Sequence, residues 1–164
     1  MRLEEENVGC FLDGIYLARA QQRMDNWTRI DHMAPCGKTR EVYKGVIDEA
    51  ARGSFQGKIR VWPNAIQSDA RQLNRNLLLS EHAEAASKPE LEILNDEVQC
   101  AHGSTIGDLD EESLFYLRAR GVGEAAARRL LIDAFVGEVI DKVADVPIRK
   151  YFRNLFNSWL SEAV

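Results

Sequence analysis

The sequence lacks the cysteine pattern of a disulfide-stapled or zinc-binding protein. Its three cysteines, Cys10, Cys36 and Cys100, are an odd number at wide spacing, and no two of them form a Cys-x-x-Cys pair. Disulfide frameworks and self-contained zinc sites need paired or closely spaced cysteines. We therefore expect the three side chains to be reduced thiols.

Long apolar runs are also missing. No run approaches the roughly 20 residues that a membrane-spanning helix needs. Residues 1–6, Met-Arg-Leu-Glu-Glu-Glu, are too acidic to open a signal or transit peptide. These features predict a cytoplasmic protein that has no membrane partner.

Positive charge is in the minority. The chain carries 21 Lys and Arg against 26 Asp and Glu, which gives a net charge of −5. A protein that grips a phosphate backbone needs a basic surface. Nucleic acid is therefore not an expected partner.

The motifs of common enzyme chemistry are absent from the sequence. It contains no P-loop, no dinucleotide-binding glycine motif and no nucleophile–base signature. Gly121 and Gly123 lie between predicted helices, whereas a nucleotide-binding loop follows a strand. We expect a protein that is not an enzyme and does not hydrolyse ATP itself.

Alternating apolar and polar residues characterise the first hundred positions. The clearest case is 53–61, where Phe55, Gly57, Ile59 and Val61 share one side, as in a half-buried strand. The other strand candidates are 42–47, 70–79, a stretch that begins at Leu91, and 8–18, which suggests short strands around a turn. This succession suits either an antiparallel meander or the stacked coils of a parallel β-helix, and periodicity alone does not choose between them.

The period of the sequence changes to that of a helix after about residue 107. Asp110 is suited to be the N-cap of a first helix, in which Leu114, Phe115 and Leu117 are the apolar residues. Gly121 is suited to end this helix at its C-terminus.

Two further helices are predicted downstream. The first runs from residue 123 or 124 to 143, and Val146-Pro147 is expected to break it. The second covers 148–160. The sequence thus predicts a β portion over residues 1–107 and a helical domain over residues 108–164.

A thiol and an imidazole share one face of the strand expected near residue 100. Cys100 and His102 are two positions apart, in phase with Val98. Thiolate and neutral imidazole both bind iron. The simpler alternative is that Cys100 fills core space and His102 forms a hydrogen bond at the end of the strand.

Other histidines and cysteines give weaker signals. His32 and Cys36, four apart around Pro35, are a second possible pair, for which a loop is the favoured interpretation. His82 is expected in a solvated loop, and Cys10 is expected in the core.

Several separate motifs, in order, resemble one family. They are Met24-Asp-Asn-Trp-Thr28, Tyr43-Lys-Gly-Val46, Ala51-Arg-Gly-Ser-Phe-Gln-Gly57, residues 69–79 (DARQLNRNLLL) and the long run that begins SKPELEILNDEVQCAHG at Ser87. Across residues 8–145 the chain resembles the C-terminal part of the SufB/SufD family of iron–sulfur cluster assembly proteins, and it is more similar to SufD. Residues 147–164 have no match to this pattern.

The resemblance implies a right-handed parallel β-helix followed by a small helical lobe. In such a fold Asn74 and Asn76 could stack on polar residues of neighbouring coils, although a solvated turn is the expected place for at least one of them. Family members carry a further N-terminal portion. A β-helix cut across its coils exposes unpaired backbone, so we expect pairing with another chain, such as a second copy in a homodimer, or marginal stability.

The resemblance also implies a function. It implies a scaffold component that acts with a SufB-like subunit and a SufC-like ABC-type ATPase, and that holds at most a transient iron–sulfur cluster or iron shared with a partner chain. His102 is the residue implied in building the cluster, with Cys100 as its companion. The candidates for docking the ATPase are Leu131, Phe135, Glu138 and Val139, although this surface could instead pack back on the β region.

Two other functions remain open from the sequence. The chain could be a truncated or degenerate SufD-like paralogue that acts only as a protein-interaction module. A β-helix enzyme such as a polysaccharide lyase needs carboxylates clustered on one face. Asp96 and Glu97 are adjacent, and in a strand they would point to opposite faces, which counts against such an enzyme.

Overall fold

The computed structural model describes residues 1–163, and the side chains of residues 1–161. It contains eight strands followed by three helices. The strands are β1 (Arg2–Leu3), β2 (Gly9–Ala18), β3 (Arg23–His32), β4 (Lys38–Ile47), β5 (Arg52–Val61), β6 (Asp69–Leu78), β7 (Glu84–Ile93) and β8 (Gln99–Gly107), and the helices are α1 (Glu111–Ala119), α2 (Glu124–Ile140) and α3 (Val146–Ala163). Val164, the last residue of the predicted helical domain, lies outside the described residues.

The strands form two parallel sheets that stack as a solenoid of about four turns. One sheet has the order β1-β3-β5-β7 and the other has the order β2-β4-β6-β8. Gly9, Lys38, Asp69 and Gln99 are neighbours on successive coils of the second sheet, and no bulge interrupts its registers. The fold is the parallel β-helix that the family resemblance implied, and the meander alternative is wrong.

The interior of the solenoid follows the period-two pattern of its strands. In β5, Phe55, Ile59 and Val61 are buried between the two sheets, as the alternation predicted. The prediction of short strands around a turn at 8–18 is wrong, because β2 runs unbroken through Gly14. The ring of Tyr43 occupies the space where a Cβ atom of Gly14 would lie, so this glycine serves packing rather than a turn.

Polar side chains are also enclosed in the solenoid. Asn74 and Asn76 are 0% and 4% exposed, and Asn76 donates a 2.8 Å hydrogen bond to the side-chain oxygen of Asn74. Asn74 in turn donates to the backbone oxygen of Tyr43 at 3.1 Å. The solvated turn expected for one of the two is therefore wrong, because both lie in phase with the inward face of β6 and find partners there.

The first helix begins and ends where the sequence predicted. The carboxylate of Asp110 accepts a hydrogen bond from the backbone N–H of Ser113 at 2.9 Å, as an N-cap does. Gly121 follows the helix with φ +86°, which glycine adopts at no steric cost.

The boundary between α2 and α3 differs from the prediction. Helix α2 ends at Ile140, and α3 already begins at Val146. Pro147 therefore lies in the first turn of α3, where its missing N–H costs no helical hydrogen bond. Asp145 caps this turn by accepting from the backbone N–H of Ile148 at 2.9 Å.

Helices α2 and α3 pack on the outer face of the second sheet, and α1 packs on α2. Their contact forms one buried apolar cluster, which consists of Val46, Leu77, Ile132, Val136, Ile140, Phe156 and Leu160. Within residues 1–163, no helix is both long enough and apolar enough to cross a bilayer.

Strands β7 and β8 form the open edges of the two sheets at the last coil. Pro89 lies inside β7, opposite Gly57 of β5. The N–H groups of Glu84 and Leu94 donate to β5 or its extension, and because successive peptide groups point to opposite sides, the nitrogen of Pro89 faces the open edge. Proline is tolerated at such an edge because no ladder hydrogen bond is lost.

Candidate functional site at the edge of the last coil

Strand β8 carries Cys100 and His102 at the end of the solenoid. It pairs with β6 on one side only, so its other side is unpaired among the described strands. Cys100 lies beside Ala70 and His102 lies beside Gln72, both of which are buried residues of β6. The two candidates therefore share the inward face of the sheet, as their spacing predicted.

The peptide groups of the same two residues face the unpaired edge. The N–H of Gln99 donates to the backbone oxygen of Ser68 at 2.9 Å, and the register from Gln99 to Gly107 is unbroken. Because alternate residues direct their N–H and C=O groups to opposite sides, those of Cys100 and His102 point away from β6. A further strand could pair with them at this edge.

The thiol and the imidazole differ in exposure. Cys100 is half-buried and packs on the apolar cluster that contains Cys10 and Ala70. Burial is the main cause that raises the pKa of the Cys100 thiol, so this group is protonated at neutral pH and must lose a proton to bind iron. His102 is exposed, because no further coil covers it.

Beneath His102 the inward face continues as buried polar side chains. Gln72, 2% exposed, donates a 2.5 Å hydrogen bond to the carboxylate of Glu41, which is 1% exposed on the preceding coil. The second carboxylate oxygen of Glu41 and the side-chain oxygen of Gln72 have no protein partner. The imidazole thus lies at the open end of a polar column rather than on an apolar core.

The remaining histidine and cysteine candidates do not gather with this site. His32 is fully buried at the end of β3, where its Nε2 lies 2.8 Å from the hydroxyl of Thr39, so the loop interpretation is wrong for His32, although it is confirmed for Cys36. Cys36 lies in the following turn, and its thiol is 3.5 Å from the side-chain oxygen of Gln67. His82 is exposed in a turn, and Cys10 is buried, as expected.

The carboxylate pair considered for an enzyme also has a different setting. Asp96 and Glu97 lie in the turn between β7 and β8 rather than in a strand, and both are exposed. In the described part of the chain, no three His, Cys, Asp or Glu side chains come together as a metal site. Cys100 and His102 are therefore two ligand candidates that need others from elsewhere.

The four docking candidates on α2 face the β-helix and α1. Val139 is 6% exposed, and Leu131 and Phe135 are half-buried. Glu138 is exposed, but its carboxylate is 2.5 Å from the ammonium of Lys44 on β4 and 3.5 Å from the guanidinium of Arg75 on β6. Hydrogen bonding to Lys44 is the main cause that lowers the pKa of Glu138.

Sequence reasoning missed the partner of Glu138. Lys44 is 1% exposed, although it is a lysine on the outer face of a strand, because α2 covers it. Its ammonium also donates a 2.8 Å hydrogen bond to the backbone oxygen of Phe135 and lies 4.4 Å from the centre of that ring. The available signal was a lone lysine between Tyr43 and the apolar end of β4.

Large apolar side chains of α1 and of the first half of α2 are exposed, and they are not among the four docking candidates. Phe115 and Tyr116 of α1 are 74% and 55% exposed, and Leu130 of α2 is 53% exposed. A partner could reach these residues more easily than the buried part of α2, and α3 exposes further apolar side chains at Tyr151 and Leu155.

The fold and the site together define a class of protein. It is a parallel β-helix with a helical lobe on one sheet and with a thiol and an imidazole on the strand at an open edge. Residues 1–135 match the family described as SUF system FeS cluster assembly, SufBD core domain. The chain belongs to this family.

Known relatives agree with this assignment. An iron–sulfur cluster assembly SufBD family protein of Synechocystis is 41% identical over 143 residues, which cover 87% of this chain and 32% of the relative. The iron–sulfur cluster assembly protein SufD of Escherichia coli is 32% identical over 149 residues, covering 91% and 35%. The chloroplastic protein ABCI7 of Arabidopsis thaliana is 40% identical over 135 residues, covering 82% and 28%. The chain thus spans about a third of the length of these relatives.

Proposed function

We propose that this chain acts as a SufD-like scaffold component in iron–sulfur cluster assembly. Its relatives carry names from that process, and the part of the chain that the structure describes offers two iron-competent side chains rather than a complete metal site. The cluster in this proposal is a cargo shared with a partner chain. The observation that carries the proposal is the position of His102, which is exposed on a strand whose outer edge is free to pair.

The unpaired edge suggests how a SufB-like subunit completes the site. A strand that adds to β8 would hydrogen-bond to the peptide groups of Cys100 and His102. Neighbouring strands lie about 4.8 Å apart, so a side chain of the added strand would come close to the imidazole. Backbone pairing would then set the distance between the ligands of the two chains.

The chemistry asks for few ligands from this chain. Thiolate and neutral imidazole both bind iron, and an incomplete ligand set suits a cluster that is handed on. Cys100 would contribute only after its buried thiol loses a proton. His102 is exposed, so it is the first ligand that arriving iron could reach.

The helical lobe is the proposed contact for a SufC-like ATPase. Phe115, Tyr116 and Leu130 give it accessible apolar surface. Phe135, Glu138 and Val139 would then support the docked surface by holding α2 on the β-helix. The nucleotide chemistry would belong to the ATPase.

His102→Ala in the reconstituted complex tests the proposal. Iron and sulfide are supplied anaerobically, and bound cluster is measured by absorbance and by iron content. We expect a several-fold loss of assembled cluster while the complex itself still forms. His82→Ala is the matched control, since His82 is also exposed but lies in a turn away from β8. Undiminished assembly by His102→Ala contradicts the proposed role.

A second candidate is a protein-interaction module that binds partners but builds no cluster. The absence of a third ligand near Cys100 and His102 in the described residues favours it. Anaerobic titration of the complex with iron and sulfide separates the two functions, because only the scaffold develops a bound chromophore. A second copy of the chain at the open edge would instead appear as a homodimer in light scattering.

A further inference from the structure

Two cations on neighbouring strands hold α2 against the sheet that carries His102. Lys44 of β4 and Arg75 of β6 are register partners on the outer face, and both approach the carboxylate of Glu138. The ring of Phe135 lies between helix and sheet, 4.4 Å from the Lys44 ammonium and 5.6 Å from the Arg75 guanidinium. We call these four residues the helix–sheet latch.

The latch brings two cations together on neighbouring strands beneath a helix. Like charges directly opposite each other on neighbouring strands are unfavourable, so Lys44 and Arg75 need the carboxylate that they share. Burial is the main cause that lowers the pKa of Lys44, which means that covering this ammonium opposes its charge. An apolar residue would fill the same place without that penalty. The contact therefore favours one defined position of α2 rather than the tightest packing.

Open space lies beside the latch, on the side of β8. A surface cleft of about 440 Å³ lies between α2 and the last residues of β8, and its walls include Phe135 and Glu138 on one side and Thr105 and Gly107 on the other. A helix that borders such a cleft can shift toward it more easily than into a close-packed core. The latch is the polar contact that opposes such a shift.

The latch is connected to His102 through β6. Arg75 is the register partner of Thr105, and Gln72 is the register partner of His102, so β6 supports both positions of β8. The open edge leaves β8 with no second neighbouring strand in its sheet. Arg75 is therefore the member of the latch that lies on the strand paired with the imidazole-bearing strand.

We infer that Lys44, together with Glu138, is a positioning residue that couples the place of α2 on the sheet to the place of His102. The inference rests on the proposed function, and it deepens that function by naming the residues through which a partner on the helical lobe would act on the ligand edge. Neither residue touches the cluster.

The test compares two lysines that both join α2 or its C-terminal end to the sheet. Lys44→Met removes the latch charge and keeps most of the side-chain length. Lys142→Met is the matched control, because Lys142 forms a 3.2 Å ion pair with Asp13 of β2, at the opposite edge of the same sheet from β8. The readout is the ring-proton NMR signal of each of the three histidines in the otherwise unchanged chain.

We expect Lys44→Met to shift or broaden the signal of His102 and to leave that of His82 unchanged, and we expect Lys142→Met to change neither. Glu138→Gln should reproduce the effect of Lys44→Met, and the double variant should add nothing, as for two residues that act as one unit. Because Glu138 is exposed, its variant keeps the inference testable if Lys44→Met does not fold. A His102 signal identical to that of the unaltered protein in either folded variant overturns the inference.

The cluster assay adds a second readout. Lys44→Met should reduce several-fold the cluster assembled per complex that contains the ATPase, whereas Lys142→Met should not. The NMR measurement needs no cluster, so the coupling of Lys44 to His102 and the proposed scaffold function can be contradicted independently. An unaltered complex that builds no cluster contradicts the proposed function, and a His102 signal indifferent to Lys44 contradicts only the coupling.

Discussion

The hydroxyl of Tyr16 donates a hydrogen bond to the side-chain oxygen of Asn76, although one strand lies between them in the sheet. The residue between them is Gly45, the register partner of both. With no side chain at that position, a ring from β2 and an amide from β6 can meet inside the solenoid. The missing side chain of Gly45 thus makes room for a hydrogen bond between the outer two of three neighbouring strands.

Gly45→Ala should destabilise the protein strongly. A Cβ atom at this position would lie 2.5 Å from the side-chain oxygen of Asn76 and would also enter the ring of Tyr16, which is 3% exposed and has no room to move. Overpacking of this kind costs about 1–3 kcal/mol, and we expect about 2–3 kcal/mol here from chemical denaturation. Gly107→Ala is the control, because its Cβ would meet nothing within 4 Å. Equal stability of the two variants would contradict this account.

The buried His32 should make stability depend on pH. Burial holds the pKa of His32 below its ordinary value of about 6.5. The unfolded chain therefore binds a proton that the folded chain does not, and the free energy of unfolding should fall as pH drops below about 6.5, until the folded pKa is reached. One such proton accounts for at most about 1.4 kcal/mol per pH unit.

The measurement is denaturant unfolding between about pH 7 and pH 5, above the range in which ordinary carboxylates titrate. His32→Gln keeps a hydrogen-bonding group beside Thr39 and should flatten the dependence. His82→Gln, in an exposed turn, is the control and should keep it. A His32→Gln variant with the slope of the unaltered protein would show that another group is responsible.

Cys10 and Cys100 should react slowly with iodoacetamide in the folded protein. Burial is the main cause that raises the pKa of both thiols, so little thiolate is present at pH 8. Peptide mass spectrometry should find both cysteines modified several-fold more slowly than in urea, with Cys10 slower because it is the more enclosed. Alkylation of Cys100 at the unfolded rate would contradict this account, because it would mean that the thiol is accessible at the edge and that burial does not raise its pKa.

Local patterns in the sequence predicted what depends on strand and helix periods. The shared face of Cys100 and His102 and the interior of β5 follow from alternation alone. The same reasoning predicts short strands in place of the continuous β2, because it interprets Gly14 as part of a turn. The space that this glycine leaves for Tyr43 depends on the neighbouring coil, which period analysis does not include.

Contacts between distant parts of the chain were beyond such reasoning. Lys44 meets Phe135 and Glu138 across 91 and 94 positions of sequence. The sequence of α2 does not indicate which side faces the sheet, because its apolar residues are distributed around most of the helix circumference. Glu138 was therefore assigned to docking, a role that stays a prediction, while its observed partner is the lysine beneath the helix.

Pro89 makes the two edge strands of the last coil, β7 and β8, different in their capacity to pair with another strand. Its missing donor leaves a gap in the row of amides along β7, whereas the row along β8 is complete. A strand from another chain can thus pair along the whole of β8, which bears the imidazole, but its pairing with β7 would be interrupted at Pro89. Non-specific end-to-end stacking of solenoids would require pairing at both edge strands, so Pro89 disfavours it.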